Sequence, residues 1–241
     1  MEKAVKQFKK FFIYFIIFTL VIVGAIITLF LVPLELNYSL SLVLILILVY
    51  LGGVVWFSPR LMYHSESILY FRLKQHQSPA IPIKHSPTST VFYKKLAKSD
   101  FRPFYTTDGF TIFMRYVKNR KKPVTRRPML MVYVIIHQDQ VDYQDQHIVS
   151  QINRLEDSLY AQKKRITNYT IYIVKSGLTL SGEERKKCDH VTFSKTRLRS
   201  IVNINAFYEV KTKSLYFLYS NHFHPSAYYK FAVEELIMLV S

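Results

Sequence analysis

Two uncharged apolar runs occupy most of the first fifty-seven residues, and nothing else in the chain limits its fold as strongly. Residues 11–32, FFIYFIIFTLVIVGAIITLFLV, hold no ionisable carboxylate or amine. These 22 residues make about 33 Å of helix, enough to cross the hydrocarbon of a bilayer. Seventeen of them are Leu, Ile, Val or Phe, and together they favour insertion by about 5 to 10 kcal/mol. Thr19, Thr28 and Gly24 do not offset that. The second run, SLSLVLILILVYLGGVVWF at 39–57, has 19 residues and spans about 28 Å. A cleaved leader is disfavoured for the first run, which is too long and lacks a small-x-small site after it.

Between the runs, VPLELNYS reads as a tight connection with Pro33 stopping the first helix and Glu35 its one charge. Lys3, Lys6, Lys9 and Lys10 precede the first run, the connection has no Lys or Arg, and Arg60 follows the second. The positive-inside rule then places both termini in the cytoplasm of a two-pass protein of the cell membrane. Tyr38 and Trp56 fall at opposite ends of the second run, where amphipathic rings prefer the interface. Neither run carries the ionisable residue that a pore or transporter needs, so the hairpin reads as an anchor. Gly52–Gly53 offers a place for close helix contact.

The expected organisation is a two-span transmembrane hairpin over 1–58, a juxtamembrane helix and proline-containing linker over 59–99, and a cytoplasmic domain over 100–241. PRLMYHSESILYFRLKQHQ reads as a helix with Pro59 in its first turn, and SPAIPIKHSPTS as extended linker. FRPFYTTDGFTIFMRYV is a hairpin pattern in which Asp108–Gly109 would supply positive φ angles. MLMVYVII at 129–136 is continuously apolar, as a strand covered on both faces should be. A helix over about 143–165 aligns Ile148, Ile152, Leu155 and Leu159 on one face, with Lys163, Lys164 and Arg165 in its last turn. YTIYIV at 169–174 is a second strand, parallel to the first across this crossover. IVNINAFYEV and SLYFLYS form a further hairpin around 211–214, and SAYYKFAVEELIMLV ends as a helix capped by Ser226. The fold class is α+β or α/β: a membrane hairpin, then a mixed sheet of five to six strands with one strand–helix–strand crossover.

Four sets of residues are candidate sites. HQDQVDYQDQH follows the apolar strand, and ligands of open α/β sheets bind beyond the carboxyl ends of strands. Asp142 as helix cap and Asp145 in the first turn account for two of its aspartates. His137 and Asp139 remain as a candidate catalytic pair. Cys188 and His190, with His222 and His224, are pairs on alternate positions that could hold zinc, though x1 spacing is not the usual ligand pattern. In the basic loop VKNRKKPVTRRP, residues Lys118, Arg120, Lys121, Lys122, Arg126 and Arg127 form an anion-binding candidate. Last, Glu209-Val-Lys211 resembles the E-x-K half of the PD-(D/E)xK nuclease motif, over three residues. No Pro-Asp pair stands upstream, and Lys211 begins a turn.

Net charge is +17, and outside the first ten residues and Glu35 there remain 29 Lys+Arg against 14 Asp+Glu. That excess favours anionic partners. Cys188 is the one cysteine, which suits a reducing compartment. Abundant Lys, Ile, Tyr and Phe point to an AT-rich bacterial genome. Beyond the apolar runs glycine occurs only at 109, 177 and 182, which excludes a P-loop and a G-x-G-x-x-G turn, and no G-x-S-x-G or H-E-x-x-H occurs. The sequence therefore reads as a membrane-anchored, non-enzymatic adaptor or regulatory module, docking a protein partner or anionic lipid. The alternative is a membrane-tethered nucleic-acid-binding protein or degenerate nuclease. No cofactor is expected. The expected partners are the bilayer, anionic head groups or nucleic acid at the basic loop, a protein, and, as an open alternative, a second copy of the chain.

Overall fold

The computed structural model describes residues 2–32, 35–118, 128–195 and 199–241. The chain divides into two compact units, Met1–Arg72 and Leu73–Ser241.

In the first unit, helix α1 (Glu2–Leu31) and helix α2 (Leu36–Gln75) are both long and apolar enough to cross a membrane. Almost none of either apolar run is buried by protein; Leu20 is 65% and Val55 74% exposed. Such surface is costly in water and favourable in lipid. The threonine hydroxyls inside the first run are satisfied within their own helix, Thr19 Oγ1 donating to the Phe15 carbonyl and Thr28 Oγ1 to that of Gly24. Rings join the two helices antiparallel: Phe18 stacks with Tyr50 at 6.2 Å, Phe15 meets Phe57 at 5.5 Å, and Phe11 meets Trp56 at 6.3 Å. A Cβ at Gly53 would overlap the Phe18 ring, so this glycine permits the approach. Pro59 stands inside α2 rather than in the first turn of a separate helix. One amide is lost there, but the helix is long on both sides, and Arg60 Nη1 donates to the next carbonyl, Trp56 O, at 2.8 Å. Pro33 lies outside the described residues.

The second unit is built on a mixed sheet of eight strands, two more than the upper expectation. The strands are β1 (Ile81–Pro82), β2 (Arg102–Thr106), β3 (Phe110–Val117), β4 (Met129–Ile136), β5 (Asn168–Gly177), β6 (Thr192–Lys195), β7 (Ser200–Glu209) and β8 (Ser214–Phe217). Their order is β1-β8-β7-β5-β4-β3-β2, with β6 also beside β7. The additional strands β1 and β6 are two and four residues long, too short to show a period. β5 is parallel to β4 and also to β7, so there are two parallel pairings rather than one. Helix α3 (Thr90–Lys98) lies in the stretch between Pro87 and the first hairpin. Helices α4 (Gln146–Ala161), α5 (Gly182–Cys188) and α6 (Ala227–Val240) complete the unit.

Every residue of β4 is buried, as its unbroken apolar run requires. On one face its Leu130, Val132, Val134 and Ile136 belong to a core with Ile148, Ile152, Leu155 and Leu159 of α4. On the other, Tyr133 packs against Phe92 of α3 and Tyr172 of β5, while Tyr172 donates its hydroxyl to Ala232 O of α6. Ser226 caps α6 by accepting the Tyr229 amide.

Three local details differ from the sequence reading. The β2–β3 turn has no positive φ at Asp108 or Gly109. Thr107 Oγ1 accepts the Phe110 amide, so a side chain closes the loop instead of a left-handed backbone. Asp145, not Asp142, caps α4, accepting from the His147 amide at 2.7 Å. Finally, α4 stops at Ala161, and Lys163 to Arg165 lie beyond it. Lys163 takes φ +57°, which lets the Lys164 amide return to Leu159 O and the Lys163 amide to Tyr160 O. A side chain other than glycine is strained there. Lys163→Gly is expected to stabilise the fold by about 0.5–1 kcal/mol, read as a raised midpoint of chemical unfolding.

Candidate anion-binding site

β2 is shorter than its neighbour. Arg102 pairs with Met114, and β3 then runs on to Val117 with β4 its one partner among the described residues. The overhang floors a recess of about 460 Å³, lined by Asp100, Arg102, Arg115, Tyr116, Lys118 and Lys164 among others. Two helix ends deliver charge to it. Asp100, at φ +64°, ends α3 as Lys163 ends α4, its amide returning to Ala97 O and that of Phe101 to Leu96 O. Lys164 follows the second of these caps, with its ammonium 5.4 Å from the Tyr116 ring centroid. Tyr116 donates its hydroxyl to Arg165 O at 2.9 Å, fixing that chain end against β3.

Arg115 is already engaged. Its Nη2 meets Glu235 Oε2 at 2.5 Å, its Nη1 donates to Ser99 O at 3.1 Å, and its guanidinium lies 4.7 Å over the Phe101 ring. Both partners of the ion pair are buried. The charge balance left at the recess is Arg102, Lys118 and Lys164 against Asp100, a net cationic concavity beside which the basic loop begins. Of the loop's residues, Lys118 is described; Arg120, Lys121, Lys122, Arg126 and Arg127 lie outside the described residues.

The carboxyl ends of the parallel strands, the expected ligand position, hold charged groups that pair with one another, while Ser176 Oγ and Asn205 Oδ1 are buried without a hydrogen-bond partner among the described residues. Lys175 at the end of β5 is buried, donating to Asp139 O at 2.7 Å and pairing with Glu184 at 3.1 Å. Asp142 pairs with Lys187 and Asp189 with Lys74. His137 hydrogen-bonds through Nε2 with Thr111 Oγ1 at 2.9 Å, and partial desolvation lowers its pKa. It shares no hydrogen bond with Asp139, whose carbonyl rather than carboxylate is engaged. Glu209 accepts from Thr212 Oγ1 and from the Leu180 amide, contacts that hold its carboxyl below the usual range, while Lys211 is exposed in the turn.

Among the described residues, no three or more His, Cys, Asp or Glu are grouped to hold a metal ion. Cys188 is buried 3.3 Å from the Tyr143 hydroxyl, His190 and His222 are exposed, and His224 is half-buried with its Nδ1 unpartnered. Burial pushes the Cys188 thiol up to about 12. No known family, curated protein or solved structure matches the chain.

The Arg115–Glu235, Lys175–Glu184 and Lys164 placements were not found in the sequence. For Arg115 and Lys175 the signal was a single charge inside an apolar strand, FTIFMRYV and YTIYIVKSG; their partners Glu235 and Glu184 stand beside other charges and gave none. Glu235→Ala leaves a buried guanidinium without its carboxylate and is expected to destabilise the fold by about 3–5 kcal/mol in chemical unfolding. Native Cys188 is expected to resist maleimide at pH 8, since almost none of it is thiolate, and to react fully once the chain is unfolded.

Proposed function

We propose that the protein is a two-pass, membrane-anchored module of the cell membrane with both termini in the cytoplasm. Its globular unit docks an anionic segment of a protein partner. It works as an adaptor and not through chemistry of its own. The observation that carries this reading is the cationic recess at the β3 overhang, which combines a strand edge unpaired among the described residues with Arg102, Lys118 and Lys164. An extended acidic segment can pair with such an edge through its backbone and with the cations through its carboxylates or phosphates. The anchor is supported by the two outward-facing apolar helices and by the distribution of Lys and Arg around them. The engagement of Lys175, Glu184, Glu209 and Asp189 in structural contacts also favours docking over catalysis at the strand ends.

Capture from native membranes by the tagged full chain tests the reading. Charge reversal of Arg102 and Lys164 together is expected to abolish a salt-sensitive protein partner, while reversal of exposed Lys186 leaves it bound. Capture that vanishes on nuclease treatment would instead favour nucleic-acid binding, and capture of anionic vesicles free of protein would favour lipid. A carboxyl-terminal tag labelled from outside intact cells would sink the topology.

A further inference from the structure

The first unit holds a groove of about 790 Å³ formed by both helices, and no acidic side chain lines it among the described residues. Phe11 of α1 and Val55, Trp56, Pro59, Arg60 and His64 of α2 contribute to its wall. The His64 ring stacks on Phe11 at 5.4 Å, so the two helices share the wall. Arg60 lies 3.8 Å over the Trp56 ring and donates one N–H to Trp56 O, which fixes its guanidinium while leaving other donors open. No carboxylate pairs with it among the described residues. Pro59 has no N–H, so the Val55 carbonyl four residues earlier lacks the amide an unbroken helix would give it. Val55, Pro59 and Arg60 all line this one groove, so a fixed cation and a residue whose carbonyl lacks its helical donor lie within about one and a half turns of each other, beside an apolar wall that includes Phe11.

We propose that this groove binds one phospholipid, its phosphate on Arg60, a head-group N–H or O–H donor on the Val55 carbonyl, and an acyl chain along the apolar wall. The chemistry selects the ligand. Free phosphate matches the cation but leaves the apolar wall uncovered. Phosphatidylcholine has the phosphate but no head-group donor; phosphatidylethanolamine has both. An aromatic ring and an arginine at the end of an apolar run are also where a bilayer places its phosphates.

The inference rests on α1 and α2 crossing a bilayer, and the test separates the two. The full chain in mild detergent is offered phosphatidylethanolamine and phosphatidylcholine, and retained lipid is counted by native mass spectrometry, alongside carbonate extraction of the same variants. The wild type is expected to retain ethanolamine lipid over choline lipid. Arg60→Gln should lower total retention about fivefold, and Arg60→Lys should recover most of it. Pro59→Ala, which returns an amide to Val55, should erase the head-group preference while total retention persists. Equal retention of both lipids by the wild type, an Arg60→Gln protein that binds as the wild type does, or displacement by excess inorganic phosphate would overturn the site with the anchor intact. Release of the wild type by carbonate would remove the anchor and the site with it.

Discussion

Arg115 ties together three parts of the globular unit that are far apart in the chain. From β3 it reaches Glu235 on α6, the carbonyl of Ser99 at the end of α3, and the ring of Phe101. Bringing two charges out of water costs several kcal/mol each, and only dense hydrogen bonding offsets it. The pair therefore does little as a source of raw stability. It matters because an alternative packing of α6 would leave a buried charge alone. The same contacts hold the end of α3 where Asp100 can reverse the chain into β2, which in turn sets where β2 begins and how much of β3 it covers.

What could be read from the sequence follows the strength of its periodicity. The β4 run and the stripe of Ile148, Ile152, Leu155 and Leu159 are long, regular and buried, and the structure has them as read. The Ser226 cap was also visible, because a small hydroxyl residue before an apolar helix has one main use. β1 and β6 were not visible, since pairing with β8 and β7 makes them strands and no local pattern does. The turn at Asp108–Gly109 misled because Thr107 closes it with a side chain. The recess was legible only through Lys118. Arg102 and Lys164 lie on separate elements, and only the two left-handed helix ends and the short β2 bring them to one place.

At the strand ends the charged groups hold one another in place. Tyr216 donates to Asp189 and accepts from both Arg185 and Gln77, and Asp189 also meets Lys74. Each group has a partner whose own geometry is fixed by a strand or a cap. A reacting group needs a proton or lone pair free to move, and Glu209, clasped by Thr212 and Leu180, is held instead as a loop fastener.

Among the described residues β3 has no second neighbour from Arg115 to Val117, which has a consequence for how copies of the protein meet. An uncovered strand invites the same strand of a neighbouring molecule, the first step toward sheet-to-sheet aggregation. Here two copies approaching edge to edge would bring Arg102, Lys118 and Lys164 of each against their counterparts. Like charges would then face one another across the gap, and Pro103 with the irregular register after it interrupts the rest of that border.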